Sequence, residues 1–198
     1  MKTMHHRLGR HRKIVYICLL FTAFSRLLTC NFNSESKMTP HKVTGIIGTK
    51  NMPTTMLGLS SLHGVDYADQ FSITTGIDAT PEQWARAIFG NVPSTSQVFI
   101  WRYLLGLRIS RDREASSTTV AGWKIGGEGQ DFLRLEANSW LLSGNLVVHR
   151  TDSQVSLVTL VQYETWIAWP WWCLLGLVHR KIVPVILRRA VGRIQASQ

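Results

Sequence analysis

Apolar and polar positions change rhythm several times along this chain, and each change predicts an element. Val65 to Ile73 (VDYADQFSI) leads into a first β-strand. Thr80-Pro81-Glu82-Gln83 then carries a helix start: a threonine N-cap, proline at the first helical position, and a glutamine that completes a capping box. Trp84, Ala87 and Ile88 follow on one helical face, and Gly90 closes the short helix. Val98 to Leu107 (VFIWRYLLGL) predicts a second helix or buried segment, and the charged, Ser-rich stretch Arg108–Thr119 a loop.

From Gly122 the apolar residues alternate. Strands are predicted near Gly122–Gly126, Phe132–Asn138, Trp140–Arg150 and Val155–Glu164. Turn chemistry is read at Gly126-Gly127-Glu128-Gly129, at Thr151-Asp152-Ser153, and within the third strand at Ser143-Gly144-Asn145. In Phe132–Asn138, Leu133, Leu135 and Ala137 share one face, and Phe132, Arg134, Glu136 and Asn138 the other. Consecutive hairpins of this kind form an antiparallel meander. The chain ends on Trp166–Ile194, a long helical pattern with an apolar stripe at Leu175, Val178, Ile182, Ile186 and Val191. Pro184 falls inside this pattern and is expected to kink or divide the helix.

The order is strand, two short helices, antiparallel strands and a long final helix. It predicts an α+β fold of the helix-grip (START-like) class, in which a curved antiparallel sheet wraps a long C-terminal helix. The local wording goes further. Asp66-Tyr67-Ala68-Asp69-Gln70-Phe71, Glu82 to Phe89 (EQWARAIF), Trp101 to Arg108 (WRYLLGLR) and Val178 to Pro184 (VHRKIVP) resemble an uncharacterised bacterial family catalogued as a domain of unknown function. That family is placed in the START-like, polyketide cyclase-like superfamily. The resemblance covers about Leu57–Val191 and rests on aromatics and prolines rather than on catalytic signatures. It implies a cavity between sheet and helix. No GxGxxG or P-loop precedes the matching stretch.

Composition adds three points. With 45% hydrophobic and 17% charged residues the chain has ample material for a core. The net charge of +10 is unevenly spread. Six basic and no acidic residues lie in 1–30, and five basic and no acidic residues in 179–198. The stretch between holds 11 basic and 12 acidic residues. Basic ends around a neutral middle favour an anionic membrane surface or a solvated helix face over a nucleic-acid groove, and no nucleic-acid-binding motif accompanies them. Cys18, Cys30 and Cys173 have neither zinc-site nor redox-pair spacing, and those in apolar runs read as small hydrophobes.

Residues 1–37 form a basic and apolar tail. Its cationic start, the uncharged run Ile14–Ser25 and small residues at Ala23 and Ser25 have the arrangement of a secretory signal. An over-extended start, with translation beginning near Met38, is the alternative. Residues 38–65 lack a sustained period and read as a linker or an arm laid over the domain; the boundaries drawn are a linker at 38–56 and the domain proper at 57–198. The expected location is cytoplasmic, with membrane association or export through residues 1–30 as the alternative.

The candidate chemistry is sparse. Asp66 and Asp69 form a D-x-x-D pair that could do acid–base work or bind a metal; a solvated turn capping the first strand is the preferred reading. His179 interrupts the apolar C-terminal helix on or near its inward stripe, as a ligand donor, a general base or a core histidine. Glu136, Arg134 and His149 are read on one sheet face, either as a polar patch in the cavity or as its solvent side. Trp123 and Trp140 are read as cavity-lining aromatics, and Trp166, Trp169, Trp171 and Trp172 either as cavity wall or as an interfacial belt. His5, His6 and His11 cluster in the tail, and no HExxH, CxxC or nucleophile elbow occurs. The site residues expected to touch a ligand are His179, Glu136, His149, Trp123 and Trp140, with no cofactor and no metal. The expected partner is a small apolar or amphipathic molecule bound between sheet and helix, and no nucleic acid. A cyclase- or hydratase-like enzyme in the same cavity is one alternative. A peripheral membrane protein, contacting the membrane through the N-terminal segment or the Trp-rich segment, is the other.

Overall fold

A computed structural model describes residues 41–197, so the readings placed on residues 1–37 lie outside the described residues. Seven strands build one antiparallel sheet: β1 (Val43–Ile47), β2 (Tyr67–Thr74), β3 (Thr119–Val120), β4 (Trp123–Glu128), β5 (Phe132–Asn138), β6 (Leu142–Thr151) and β7 (Gln154–Tyr163). Their order across the sheet is β1-β2-β7-β6-β5-β4-β3, and the sheet is curved and unclosed. The helices are α1 (Thr54–Leu57), α2 (Pro81–Phe89), α3 (Thr95–Val98), which runs into a π-helical turn at Phe99–Leu104, and α4 (Ala168–Gln195). A curved antiparallel sheet with a long C-terminal helix packed on its inner face is the α+β, helix-grip-like arrangement that the element order predicts.

The local signals explain the elements. Thr80 and Gln83 close the predicted capping box on α2, and Trp84 is fully buried in the main core. Ser94 and Gln97 form a second capping box, on α3. The tight turn Asp152-Ser153 joins β6 to β7, pairing Thr151 with Gln154.

Strand alternation sorts the side chains onto two faces. Tyr67, Phe71, Ile73, Leu133, Leu135, Leu146, Val148, Leu157 and Val161 face inward and share one core with Trp84, Ile88 and Phe89 of α2 and Trp172, Val183, Leu187, Val191 and Ile194 of α4. The opposite face is also buried in part. Ala68, Val147, Val158 and Leu160 pack there under Met52 and are flanked by Met56, Leu57, Leu59, Leu62 and Val65. Residues 48–65 are therefore an arm laid over the back of the sheet.

Five expectations are corrected. The 38–56 linker contains β1, which pairs with β2 from Val43↔Ile73 to Ile47↔Asp69; five residues, with Gly45 among them and Gly48 just after, give too little alternation to read. Ser143-Gly144-Asn145 is not a turn, because β6 runs through it. The Trp123 ring lies over Gly144, where a Cβ would meet Trp123 Cη2 at 3.4 Å, an ordinary contact. Asn145 Oδ1 accepts from the Ser60 hydroxyl and from the Ser61 amide and hydroxyl, anchoring the arm. Gly126 and Gly127 belong to β4 at a register irregularity rather than to a turn, which comes afterwards where Gly129 N donates to Phe132 O. Pro184 does not divide α4, which is one helical segment. The stripe that α4 buries is Trp172, Gly176, Val183, Leu187, Val191 and Ile194, with Leu175 and Ile186 flanking it.

Candidate functional site: a buried carboxylate under the gripped helix

Asp69 sits on β2 between Tyr67 and Phe71, on the inner face, and is fully buried. A buried carboxylate needs partners, since an isolated charge in an apolar interior is very costly. Two side chains bond it directly. The Tyr67 hydroxyl donates to Asp69 Oδ2 at 2.5 Å. His179 Nε2 lies 3.1 Å from Oδ2 and 3.3 Å from Oδ1. The same nitrogen is 3.1 Å from Thr159 Oγ1 on the neighbouring strand β7. In the tautomer whose Nε2–H donates to Asp69, Nδ1 is the ring nitrogen left to accept a hydrogen bond.

The surrounding groups complete the cluster. Arg180 Nε donates to the Tyr67 hydroxyl at 3.2 Å, and its guanidinium lies 5.5 Å from the Tyr67 ring centroid. Burial and the adjacent Asp69 push the Tyr67 hydroxyl well above the usual phenol range, against the opposing pull of Arg180. Tyr67 is therefore a neutral donor to Asp69 at physiological pH. The Trp172 ring packs edge-on against Tyr67, centroids 5.3 Å apart, and tilted against His179 at 5.9 Å. Trp172 Nε1 is buried and has no hydrogen-bond partner among the described residues. The His179 side chain retains 21% of its exposure, so the cluster is reached from solvent on one side.

Helical spacing delivers this geometry. Trp172, Gly176, His179 and Val183 step along the inward stripe of α4, so the histidine replaces an apolar residue directly over β2 and β7. Tyr67 and Asp69 alternate onto the same strand face.

The other residues expected at the site do not converge on it. Glu136 and Arg134 lie on the outer face. Arg134 Nε donates to Glu136 Oε1 at 2.8 Å, Nη1 to Leu59 O and Nη2 to Gly126 O, both at 2.9 Å. Burial pushes the Glu136 carboxyl up, but bonds from Ser61 and Arg134, with Lys124 nearby, outweigh it and hold the group below the usual range. This pair clamps the arm to the sheet and lines no inner cavity. His149 is half-buried on the same outer face, opposite Phe132 and Ser156. Trp123 is buried in the core on β4, edge-on to Trp101 at 5.5 Å and separated from β2 by three strands. Trp140 is exposed in the β5–β6 turn.

Asp69 was legible as half of a D-x-x-D pair, but the preferred solvated-turn reading fits only Asp66, whose Oδ2 accepts from Tyr163 N at 2.7 Å. The signal for Asp69 was its parity with Tyr67, Phe71 and Ile73. Thr159 carried no sequence signal, and Tyr67 and Arg180 none beyond their place in the stretches that carry the resemblance. Among the described residues no cluster of three or more His, Cys, Asp or Glu could hold a metal. Along the Trp-rich segment, Trp166 and Trp169 are exposed, Trp172 is buried, and Trp171 is half-buried with Nε1 donating to Leu104 O at 2.9 Å. Cys173, read as a small hydrophobe within an apolar run, is exposed. No family model matches the chain, and no curated protein or solved structure is significantly similar to it.

Proposed function

We propose that this protein is a START-like binding protein for a small amphipathic molecule, held between the sheet and α4 with its polar end at His179. One observation carries the reading: a fully buried carboxylate, a partly exposed histidine and an unpaired buried indole N–H meet under the gripped helix. An unmet donor of this kind costs about 1–3 kcal/mol, which a ligand acceptor would recover. The ligand's polar end would accept from Trp172 Nε1 and donate to, or protonate, His179 Nδ1, while its apolar body would lie against the aliphatic wall of α4. Asp69 would act as a positioning residue, fixing the imidazole through Nε2.

Native mass spectrometry of the full chain tests this. The expected result is a co-purifying small molecule that is retained by wild type and lost from a folded His179→Gln variant. An adduct-free wild type, with His179→Gln altering stability alone, would reduce the cluster to a helix anchor. The same Asp–His pairing suits acid–base catalysis. That second reading requires turnover of the bound molecule, lost in a folded His179→Gln variant.

A further inference from the structure

We infer that the end of the molecule built by the start of α4, the β5–β6 turn and the π-helical turn docks on an anionic lipid bilayer, lying in its interface without crossing it. Three elements meet there. Glu164 N, just before α4, donates to Leu141 O of the β5–β6 turn at 3.0 Å. Trp171 Nε1 on α4 donates to Leu104 O of the π-helical turn. Gly106 lies so close to the Trp140 ring that a Cβ would meet its Nε1 at 3.3 Å.

Large apolar side chains from all three are left in water: Trp166 is 83% exposed, Trp169 62%, Leu177 57%, Trp140 66% and Tyr103 66%. Trp169 and Leu177 fall on one flank of α4, beside the buried stripe of Trp172, Gly176 and Val183, and Trp166 lies just before the helix. Single exposed apolar residues are ordinary; several gathered on elements that touch one another mark an interaction surface.

Charge selects the occupant. From Thr165 to Val178 there is no charged residue, and Arg180 and Lys181 then follow at once. Lys181 is exposed, as is Arg102 beside Tyr103. The acids nearest the patch are engaged within the fold: Glu164 accepts from the Ser143 hydroxyl and Asp66 from Tyr163 N. Amphipathic indoles with cations at their margin match the headgroup region of a membrane, and anionic lipids complement the cations. By length and composition α4 could span a bilayer. Its inner stripe is committed to the sheet, however, so the helix presents a face and does not insert along its length.

All eight tryptophans lie between residues 84 and 172, so their fluorescence reports on this domain and not on the basic N-terminal segment. Full-length protein is titrated with phosphatidylcholine vesicles, with and without phosphatidylglycerol and with brominated acyl chains. The expected result is a blue shift and bromine quenching that are stronger with the anionic lipid and weakened by salt. Trp166→Ser/Trp169→Ser should reduce vesicle affinity at least ~10-fold. Lys181→Glu should selectively remove the preference for anionic lipid. Circular dichroism establishes folding, and Trp166→Ser alone replaces the double variant if that one unfolds. Equal binding by wild type and a folded variant would overturn the proposal and assign any membrane affinity to another segment. Two other outcomes would also overturn it: self-association that buries these tryptophans without lipid, or their protection from iodide in the lipid-free monomer. Failure here leaves the ligand site untouched, because His179 is not probed.

Discussion

Asp69 and His179 are 110 residues apart in sequence and 3.1 Å apart in space, and this contact ties the last helix to β2. Asp69 has no exposure, so its charge depends on this partner and on Tyr67. Removing His179 leaves a buried carboxylate without the imidazole that bonds it directly. His179→Ala should cost about 3 kcal/mol in urea unfolding, and Asp69→Asn less, because the amide brings no charge to bury. The double variant should be more stable than the sum of the singles implies, by about 1–3 kcal/mol. Strict additivity would mean that the pair does not interact.

Glycine substitutions should separate two roles. Gly122 has φ +82°, and a Cβ there would lie 2.3 Å from Ser110 O, a backbone atom with little freedom to move. Gly122→Ala should destabilise by about 2 kcal/mol or more. Gly192 is in the last turns of α4, where an added Cβ would meet nothing within 4 Å. Gly192→Ala should stabilise by about 0.5–1 kcal/mol, the helix-propensity gain. Thermal melts of the two variants should move in opposite directions.

Tyrosine ionisation supplies a pH test. Burial, together with Cys173 and Asp66 and against Arg180, pushes Tyr163 up from 10.0 to about 12. Tyr67 is raised further. In the unfolded chain both phenols would ionise near pH 10, so between pH 10 and 12 the native state holds more protons and stability falls as pH rises. Below pH 10 the contribution is fully present. Absorbance titration should show a phenol ionising well above pH 10 that is missing from Tyr163→Phe. Tyr163→Phe should remove part of the alkaline loss of stability. An unchanged alkaline limb in that variant would contradict the assignment.

Much of the architecture was readable because its signals are local. The capping box at Thr80, the Trp84–Ala87–Ile88 spacing and the strand alternation of Phe132–Asn138 each need only a few neighbours in sequence, and the structure places helix and strand there. His179 was also legible, as a polar break in an apolar helix, and it does face the sheet. The failures are tertiary. Gly126 and Gly144 look like turn residues, yet each lies within a strand, with a side chain from another strand, Glu136 or Trp123, over it. Glu136 and His149 share a face as the pattern indicates, but periodicity does not say which face is inward. That is decided by what α4 and the arm each cover.

The arm provides the last prediction. Arg134 makes three bonds at once, to Glu136, Leu59 O and Gly126 O, and so holds residues 48–65 over Val147, Val158 and Leu160. Gly126 lies beneath it: a Cβ there would lie 2.0 Å from Glu136 Cδ, so the glutamate side chain would have to shift. Arg134→Met keeps the aliphatic stem but leaves a half-buried Glu136 carboxylate and the Leu59 carbonyl without their donors. It should cost about 2–3 kcal/mol. The arm should loosen first, so hydrogen exchange should accelerate at Met52–Leu62 while Trp84 and α2 stay protected. Glu136 adds a signature in acid. Its folded carboxyl titrates below the ordinary 4.5, so its stabilising contribution is present above pH 4.5 and is lost as pH falls through the folded value. In Arg134→Met the group loses one of the bonds that depress it, and that part of the acid limb should flatten. Uniform loss of protection across the domain, with an unaltered acid limb, would show that Arg134 supports the sheet as a whole and does not act as the clamp of the arm.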